Sequence, residues 1–238
     1  MLALNHATLA SAIAFGGSIY FDKPFFLPLI LFVIFAGVFP DIDHPNSELG
    51  KWFRPVGKML PHRGITHSFL GTAIFGGSLY FLLGNYGTYF NYFLIFGAIF
   101  GVYLAQKIFK HKLNHLDNNS KLIGRHHISF LLQIATVILY GFLACLWFLA
   151  WNDALKTQAL YLLIVGYLAH IVGDFVTIEG VPLFFPIKTK FGLKLFRTGS
   201  EVEAFVGFLL FILNAYLIYI FCQKFGVLEM SYWKTVLK

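Results

Sequence analysis

The sequence predicts an all-α membrane protein of about seven transmembrane helices, N-terminus cytoplasmic, with an interfacial segment at 177–200. Three observations carry this reading: a composition starved of charge, apolar segments of spanning length, and basic residues confined to alternate connections. Of 238 residues, 58% are hydrophobic, 19% aromatic and only 12% charged, and the mean hydropathy is +0.72. A soluble domain is about a quarter charged, so the bilayer must act as solvent for most of this surface.

The apolar segments run roughly over 4–21, 25–39, 65–83, 89–109, 128–150, 158–176 and 202–223. The first lacks a basic lead-in and a small-residue cleavage site, so a retained helix is expected rather than a removable signal. The second is short and carries Pro28, which predicts a tilted or broken helix, or one buried against its neighbours. Lys51, Arg54, Lys58 and Arg63 follow the second segment. Lys107, Lys110, Lys112, Lys121 and Arg125 follow the fourth, and Lys188, Lys190, Lys194 and Arg197 the sixth. These are thirteen of the 18 basic residues; Lys23, Lys156, Lys224, Lys234 and Lys238 fall on the other side. The positive-inside rule places the richer side in the cytoplasm.

Between the last two segments, VPLFFP is too short to span, and KTKFGLKLFR alternates basic with apolar residues. That alternation suits a ribbon in the headgroup layer, its cations reaching lipid phosphates. Cys145 and Cys222 sit in separate apolar runs without ligand-like spacing, so neither a metal site nor a disulfide is expected of them.

Chemistry gathers where the predicted spans meet the cytoplasm. Asn5 and His6 head the first segment; FPDIDHPNS ends the second with Asp41, Asp43 and His44. HRGITHS opens the third with His62, Arg63, Thr66, His67 and Ser68, and HIVGD closes the sixth with His170 and Asp174. Four helix ends thus bring His or Asp to one face. His170 and Asp174, four apart, share a helical face. Asp41 and Asp43 flank one residue, and in extended geometry would also point the same way. Paired carboxylates repel unless a cation or a proton lies between them. Imidazole with carboxylate suits zinc, with manganese or iron as alternatives. Each residue has a plainer role: interfacial histidine, turn aspartate, topology-setting Arg63, or Thr66 and Ser68 as helix caps. Asp174 is the hardest to explain that way, because ionisable groups at membrane depth are usually functional. His111, His115, His126 and His127 lie in a basic polar loop that reads as solvated surface, with headgroup contact by Arg125, His126 and His127 the functional alternative.

Taken together, NHATLAS, FPDIDHPNS, HRGITHS, GYLAHIVGDFVTIEGVPLFFP and GSEVEAF resemble the YdjM-like family, the LexA-regulated, membrane-bound, metal-dependent hydrolases. The resemblance covers about 1–83 and 160–210 and implies a single membrane-embedded hydrolase domain over 1–238. Within it, 85–155 would be a two-helix insertion relative to short members. A more distant similarity, to zinc-dependent phospholipases C and single-strand nucleases, rests on the HxxxD pattern of His170 and Asp174. It extends to His6, to Asp41 or Asp43, and weakly to Glu203; TIEGVP stands where those enzymes continue with further histidines.

The resemblance implies metal-assisted hydrolysis with one to three divalent ions, zinc first. The expected ligands are His6, Asp41, Asp43, His67, His170 and Asp174, with Thr66 and Glu203 supporting them. Asp43 could instead act as base, His62 as general acid, and Arg63 as the group holding a phosphoryl or carboxylate oxygen. The expected substrate is a phosphoester, with a phospholipid suggested by the site's place at the inner membrane's cytoplasmic face. A structural metal site and a transporter are the alternatives. No nucleic-acid partner is expected, since topology already accounts for the basic charge.

Overall fold

The structure is a computed structural model that describes residues 1–45, 47, 50, 63–85 and 152–237, the side chains of 82–85 excepted. The expected spans at 89–109 and 128–150, nearly all of the 85–155 insertion with its histidine loop, and Cys145 lie outside the described residues. The chain divides into two compact units, Met1–Phe81 with Ala154–Lys238, and Leu82–Asp153. The first unit holds His6, Asp41, Asp43, Arg63, His67, His170, Asp174 and Glu203.

Helix α1 (Ala3–Phe21) ends where Asp22 turns left-handed, and Lys23 N–H then donates to Ser18 O at 3.1 Å. Helix α2 (Ile30–Val38) has only nine residues, entered through a 3₁₀ turn at Leu27–Leu29 and left through another at Phe39–Asp43. Nine residues rise about 14 Å, less than half the hydrocarbon thickness of about 30 Å, so the second segment is indeed broken. A 3₁₀ turn at Ile65–His67 leads into α3 (Phe69–Asn85), which Ser68 caps by accepting from Gly71 N–H at 3.1 Å. Helices α4 (Asp153–Val176) and α5 (Glu201–Phe225) are both long and apolar enough to cross a membrane. The short α6 (Met230–Val236) folds back, with Tyr232 donating to Phe25 O at 2.6 Å and accepting from Leu27 N–H at 3.0 Å.

Helix α5 inverts the pattern of a soluble helix. Its buried residues are Glu203, Asn214 and Phe221. Its exposed residues include Phe205, Phe208, Phe211, Tyr216 and Tyr219, each 59–64% accessible. Water would penalise such a face; lipid does not. The buried polar groups tie α5 to α1 through Asn5 with Glu203 and Ser11 with Asn214, and Phe15 meets Phe221 further along. Position rises together on both helices, so they run parallel. Helix α2 runs antiparallel to α1 and parallel to α4. Gly37 faces Ala10 and His6 O, while Gly166 faces Val33 O and Ala36. A Cβ on Gly166 would come within 2.9 Å of the Ala36 methyl. Such contact between helices needs small residues. The start of α1, the end of α2, the end of α4 and the start of α5 therefore share one end of the bundle.

The 177–200 connection returns to that end without forming a regular strand. Only two isolated bridges occur in it, Thr177 with Phe196 and Val181 with Phe191. Lys194 is left-handed at φ 57°, which interrupts the expected alternating ribbon. The backbone is stapled to α4 by Leu193 N–H on Phe175 O at 2.8 Å and Leu195 N–H on Val176 O at 3.0 Å. Lys188, Lys190, Lys194 and Arg197 are all exposed.

Candidate metal centre

At this shared end, four side-chain atoms face a common point. His170 Nε2 lies 3.1 Å from His67 Nε2, 3.6 Å from Asp41 Oδ1 and 3.8 Å from Asp174 Oδ2. His67 Nε2 lies 3.7 Å from Asp41 Oδ1 and 3.4 Å from Asp174 Oδ2. A tetrahedron with bonds of 2.0–2.1 Å from its centre has edges of about 3.4 Å. Five of the six edges here fall within 3.1–3.8 Å, close to the spacing of ligands that share one divalent ion.

Each donor is aimed by something behind it. His170 Nδ1 is 2.8 Å from the Gly37 carbonyl, which fixes that nitrogen as the N–H and leaves Nε2 as the lone pair. His67 Nδ1 faces Asp43 Oδ2 at 3.2 Å and Thr66 Oγ1 at 3.0 Å. Asp43 Oδ2 also accepts from Arg63 N–H at 3.1 Å and from the Thr66 hydroxyl. Tyr167 donates to Thr66 O at 2.6 Å, tying the His67 turn to α4.

The two aspartates of FPDIDHPNS therefore part company. Extended geometry would put both on one face, but the Phe39–Asp43 turn is 3₁₀, where residues two apart point about 120° from each other. Asp41 consequently meets the Nε2 side of His67 and Asp43 the Nδ1 side. Asp43 stands where a carboxylate orients a ligating imidazole.

His6 completes the cluster. It is wholly buried, its ring stacks on His170 at 3.7 Å between centroids, and among the described residues neither of its ring nitrogens has a hydrogen-bond partner. Its Nε2 lies 3.3 Å from Asp174 Oδ1, and donor atoms of His6, Asp41 and His170 all lie within 4.8 Å of one another. An orphaned buried imidazole costs free energy that a metal bond would recover, so the residues fit a divalent ion. Gly173 makes room for this ring: a Cβ there would come within 2.9 Å of His6 Nδ1.

Charge is concentrated accordingly. Burial opposes a charged His67, but hydrogen bonds to Asp41 and Asp43, with the charges of Asp43 and Asp174, raise its pKa to about 9 in the metal-free protein. Burial likewise pushes the Asp41 carboxyl up, yet the hydrogen bond to His67 and the charges of His170 and His6 hold it below the usual carboxylate range. Asp41 is the ligand candidate with the most accessible side chain, at 16%, and marks the side solvent reaches.

Arg63 is buried and left-handed at φ 55°. Its Nη2 pairs with Asp174 Oδ1 at 3.1 Å and its Nη1 with Glu179 Oε2 at 3.0 Å. Glu203 stands apart from the donors. Its carboxylate accepts from Leu2 N–H at 2.6 Å, Asn5 Nδ2 at 3.2 Å and Gly199 N–H at 2.6 Å, so it caps the start of α1 one turn before His6. His62 lies outside the described residues.

Known proteins bear on this arrangement. The family model described as YdjM inner membrane protein matches residues 1–111 and 108–227. The chain belongs to the YdjM inner membrane protein family. Membership accords with the lipid-facing side of α5 and places the chain in the inner membrane. Two curated relatives, both named Inner membrane protein YdjM, come from Escherichia coli K12 and Shigella flexneri. Each is 26% identical over 190 residues, covering 77% of this chain and 63% of the relative's own length. No solved structure matches.

Sequence reasoning missed four contributors: the Gly37 carbonyl, Gly173, Tyr167 and Glu179. Gly173 left a trace as a glycine inside HIVGD, in a helix interior where glycine is disfavoured without a packing reason. A backbone carbonyl leaves none.

Proposed function

We propose that this YdjM-family chain is a membrane-bound, metal-dependent hydrolase of a phosphoester, with a phospholipid as the substrate class, working at the cytoplasmic face. It would sit in the membrane with about seven spans and its N-terminus inside. The observation that carries the reading is the set of Nε2 and Oδ atoms of His67, His170, Asp41 and Asp174, 3.1–3.8 Å apart in five pairs, with His6 stacked on His170 and facing Asp174. These residues would hold the ion. A bound divalent cation supplies a hydroxide-like water at neutral pH and an electrophile for a phosphoryl oxygen.

The chain's own groups do the rest. Asp43 and Gly37 O hold the two imidazoles in the ligating tautomer. The Arg63 guanidinium steadies Asp174 and presents positive charge at the edge of the cluster. The buried walls exclude bulk water, and access comes past Asp41.

Burial also favours a second reading, a purely structural ion, because His67, His170 and Asp174 are almost completely enclosed. Elemental analysis of detergent-purified protein, joined to a panel of lipid and nucleotide phosphoesters with and without chelator, separates the two. The hydrolase reading requires about one bound ion or more per chain and chelator-sensitive turnover of a phosphoester. Stoichiometric metal without turnover of any such ester would leave the structural role. Absence of metal would end both.

A further inference from the structure

Arg63 is joined to its surroundings asymmetrically. One end of its guanidinium is committed, with Nη2 3.1 Å from Asp174 Oδ1 and both groups buried. The other end meets a surface side chain: Nη1 lies 3.0 Å from Glu179, whose side chain is 52% exposed. Weaker contacts from Nη1 to Thr177 Oγ1 and Gly180 O, both 3.4 Å, hold the group in line. Nε is buried and, among the described residues, has no hydrogen-bond partner. The residue keeps this pose despite a left-handed backbone, which L-residues rarely adopt. Its surroundings must therefore determine it.

Glu179 is equally placed by its turn. Thr177 N–H donates to Asp174 O at 3.1 Å and Gly180 N–H to Thr177 O at 3.3 Å, closing the chain directly after α4. Gly180 takes φ 62°, and a Cβ there would come within 2.7 Å of Phe191 O, so the turn admits glycine alone. The result is a solvent-accessible carboxylate seated on a buried guanidinium, one residue away from a metal-ligand candidate in the contact chain.

Guanidinium N–H groups bind carboxylate and phosphate oxygens alike. We propose that Arg63 is the receptor for a phosphate-type oxyanion and that Glu179 occupies it until the ligand arrives. Binding is then an exchange: a ligand oxygen takes Nη1, and Glu179 swings into solvent. The half of the pair that must be broken is the exposed half, which is worth little, while the buried pair to Asp174 stays intact. Lys188, Lys190, Lys194 and Arg197, exposed on the same connection, raise the local concentration of anions. This inference rests on the metal-dependent reading above, since it makes Arg63 the group that aligns a phosphoryl oxygen beside the ion.

The test compares the full-length wild type with Glu179→Gln and Glu179→Ala, in detergent, zinc-loaded and chelator-treated. One arm titrates inorganic phosphate; the other titrates phosphatidic acid in neutral mixed micelles. Removing the resident carboxylate should tighten oxyanion binding roughly fivefold in both variants, with metal content and thermal midpoint unchanged. Tightening in the phosphate arm identifies a soluble ligand, and tightening confined to the phosphatidic acid arm identifies a lipid headgroup. Equal or weaker binding by both variants in both arms overturns the exchange. Because the chelator-treated titration reads Arg63 without metal, a chain that loads no zinc yet shows the tightening would sink the hydrolase reading alone.

Discussion

Loading a divalent ion onto this cluster must expel a proton from His67, and the expulsion can be measured. In the metal-free protein His67 has a pKa of about 9, because Asp41 and Asp43 outweigh the burial that opposes its charge. A ligating imidazole must be neutral. At pH 7 only about one His67 in a hundred is neutral, so apparent metal affinity lies about 100-fold below its high-pH limit and climbs about tenfold per pH unit. Asp41 adds no such dependence near neutrality, since its carboxyl is held below the usual range. The sign for folding is the opposite. The raised pKa gives the metal-free protein stability that is complete below the unfolded value of 6.5 and disappears as pH rises through about 9. Competition titration against a chromophoric chelator, corrected for the chelator's own protons, gives the affinity slope. Calorimetry in buffers of different ionisation enthalpy gives the proton count, expected to be about one per ion near pH 7. Asp43→Asn removes one of the groups raising His67 and should move the break in the slope to lower pH. A flat affinity from about pH 6.5 to 9, or a slope indifferent to Asp43, would refute the assignment of His67 as a ligand charged by its neighbours.

Three further perturbations separate ligand, support and scaffold. Asp174→Asn should abolish stoichiometric metal in elemental analysis while leaving membrane insertion intact, since it removes an oxygen facing both His67 and His170. Tyr167→Phe loses the 2.6 Å bond to Thr66 O, costing about 1 kcal/mol in thermal unfolding and loosening metal affinity about tenfold. Glu203→Ala strips three donors of their acceptor at the junction of α1 and α5. It should cost roughly 3 kcal/mol, read as a lower unfolding midpoint in detergent, whereas Glu203→Gln keeps part of the cap and should lose less.

How far the sequence reached is clearest at His6, Asp41, His67, His170 and Asp174. Each is polar at the end of an apolar segment, and counting spans puts all of those ends on one side; the structure gathers them within a few ångströms. Local geometry is not legible in the same way. FPDIDHPNS does not announce a 3₁₀ turn, so the opposed placement of Asp41 and Asp43 was out of reach. GSEVE carries the signature of a helix start, and Ser200 does cap α5 by accepting from Glu203 N–H at 3.3 Å. Nothing in it says that the Glu203 carboxylate caps a different helix.

The deeper limit lies in what brings α1, α2 and α4 together. Gly37 approaches Ala10, Gly166 approaches Ala36, and Gly173 approaches His6, and none of these glycines offers a metal a side-chain donor. A methyl at Gly166 would meet Ala36 at 2.9 Å and the Gly37 nitrogen at 3.2 Å. Helix α2 would have to move away, taking with it the Gly37 carbonyl that fixes the His170 tautomer at 2.8 Å. Gly166→Ala should therefore cost about 1–3 kcal/mol by overpacking and weaken metal binding with every ligand still present. If the variant bound metal as tightly as wild type, helix spacing would not be what aims His170. If it does not, then a list of His and Asp positions is an insufficient signature for this centre, because the distance between helices is set by residues that bear no donor at all.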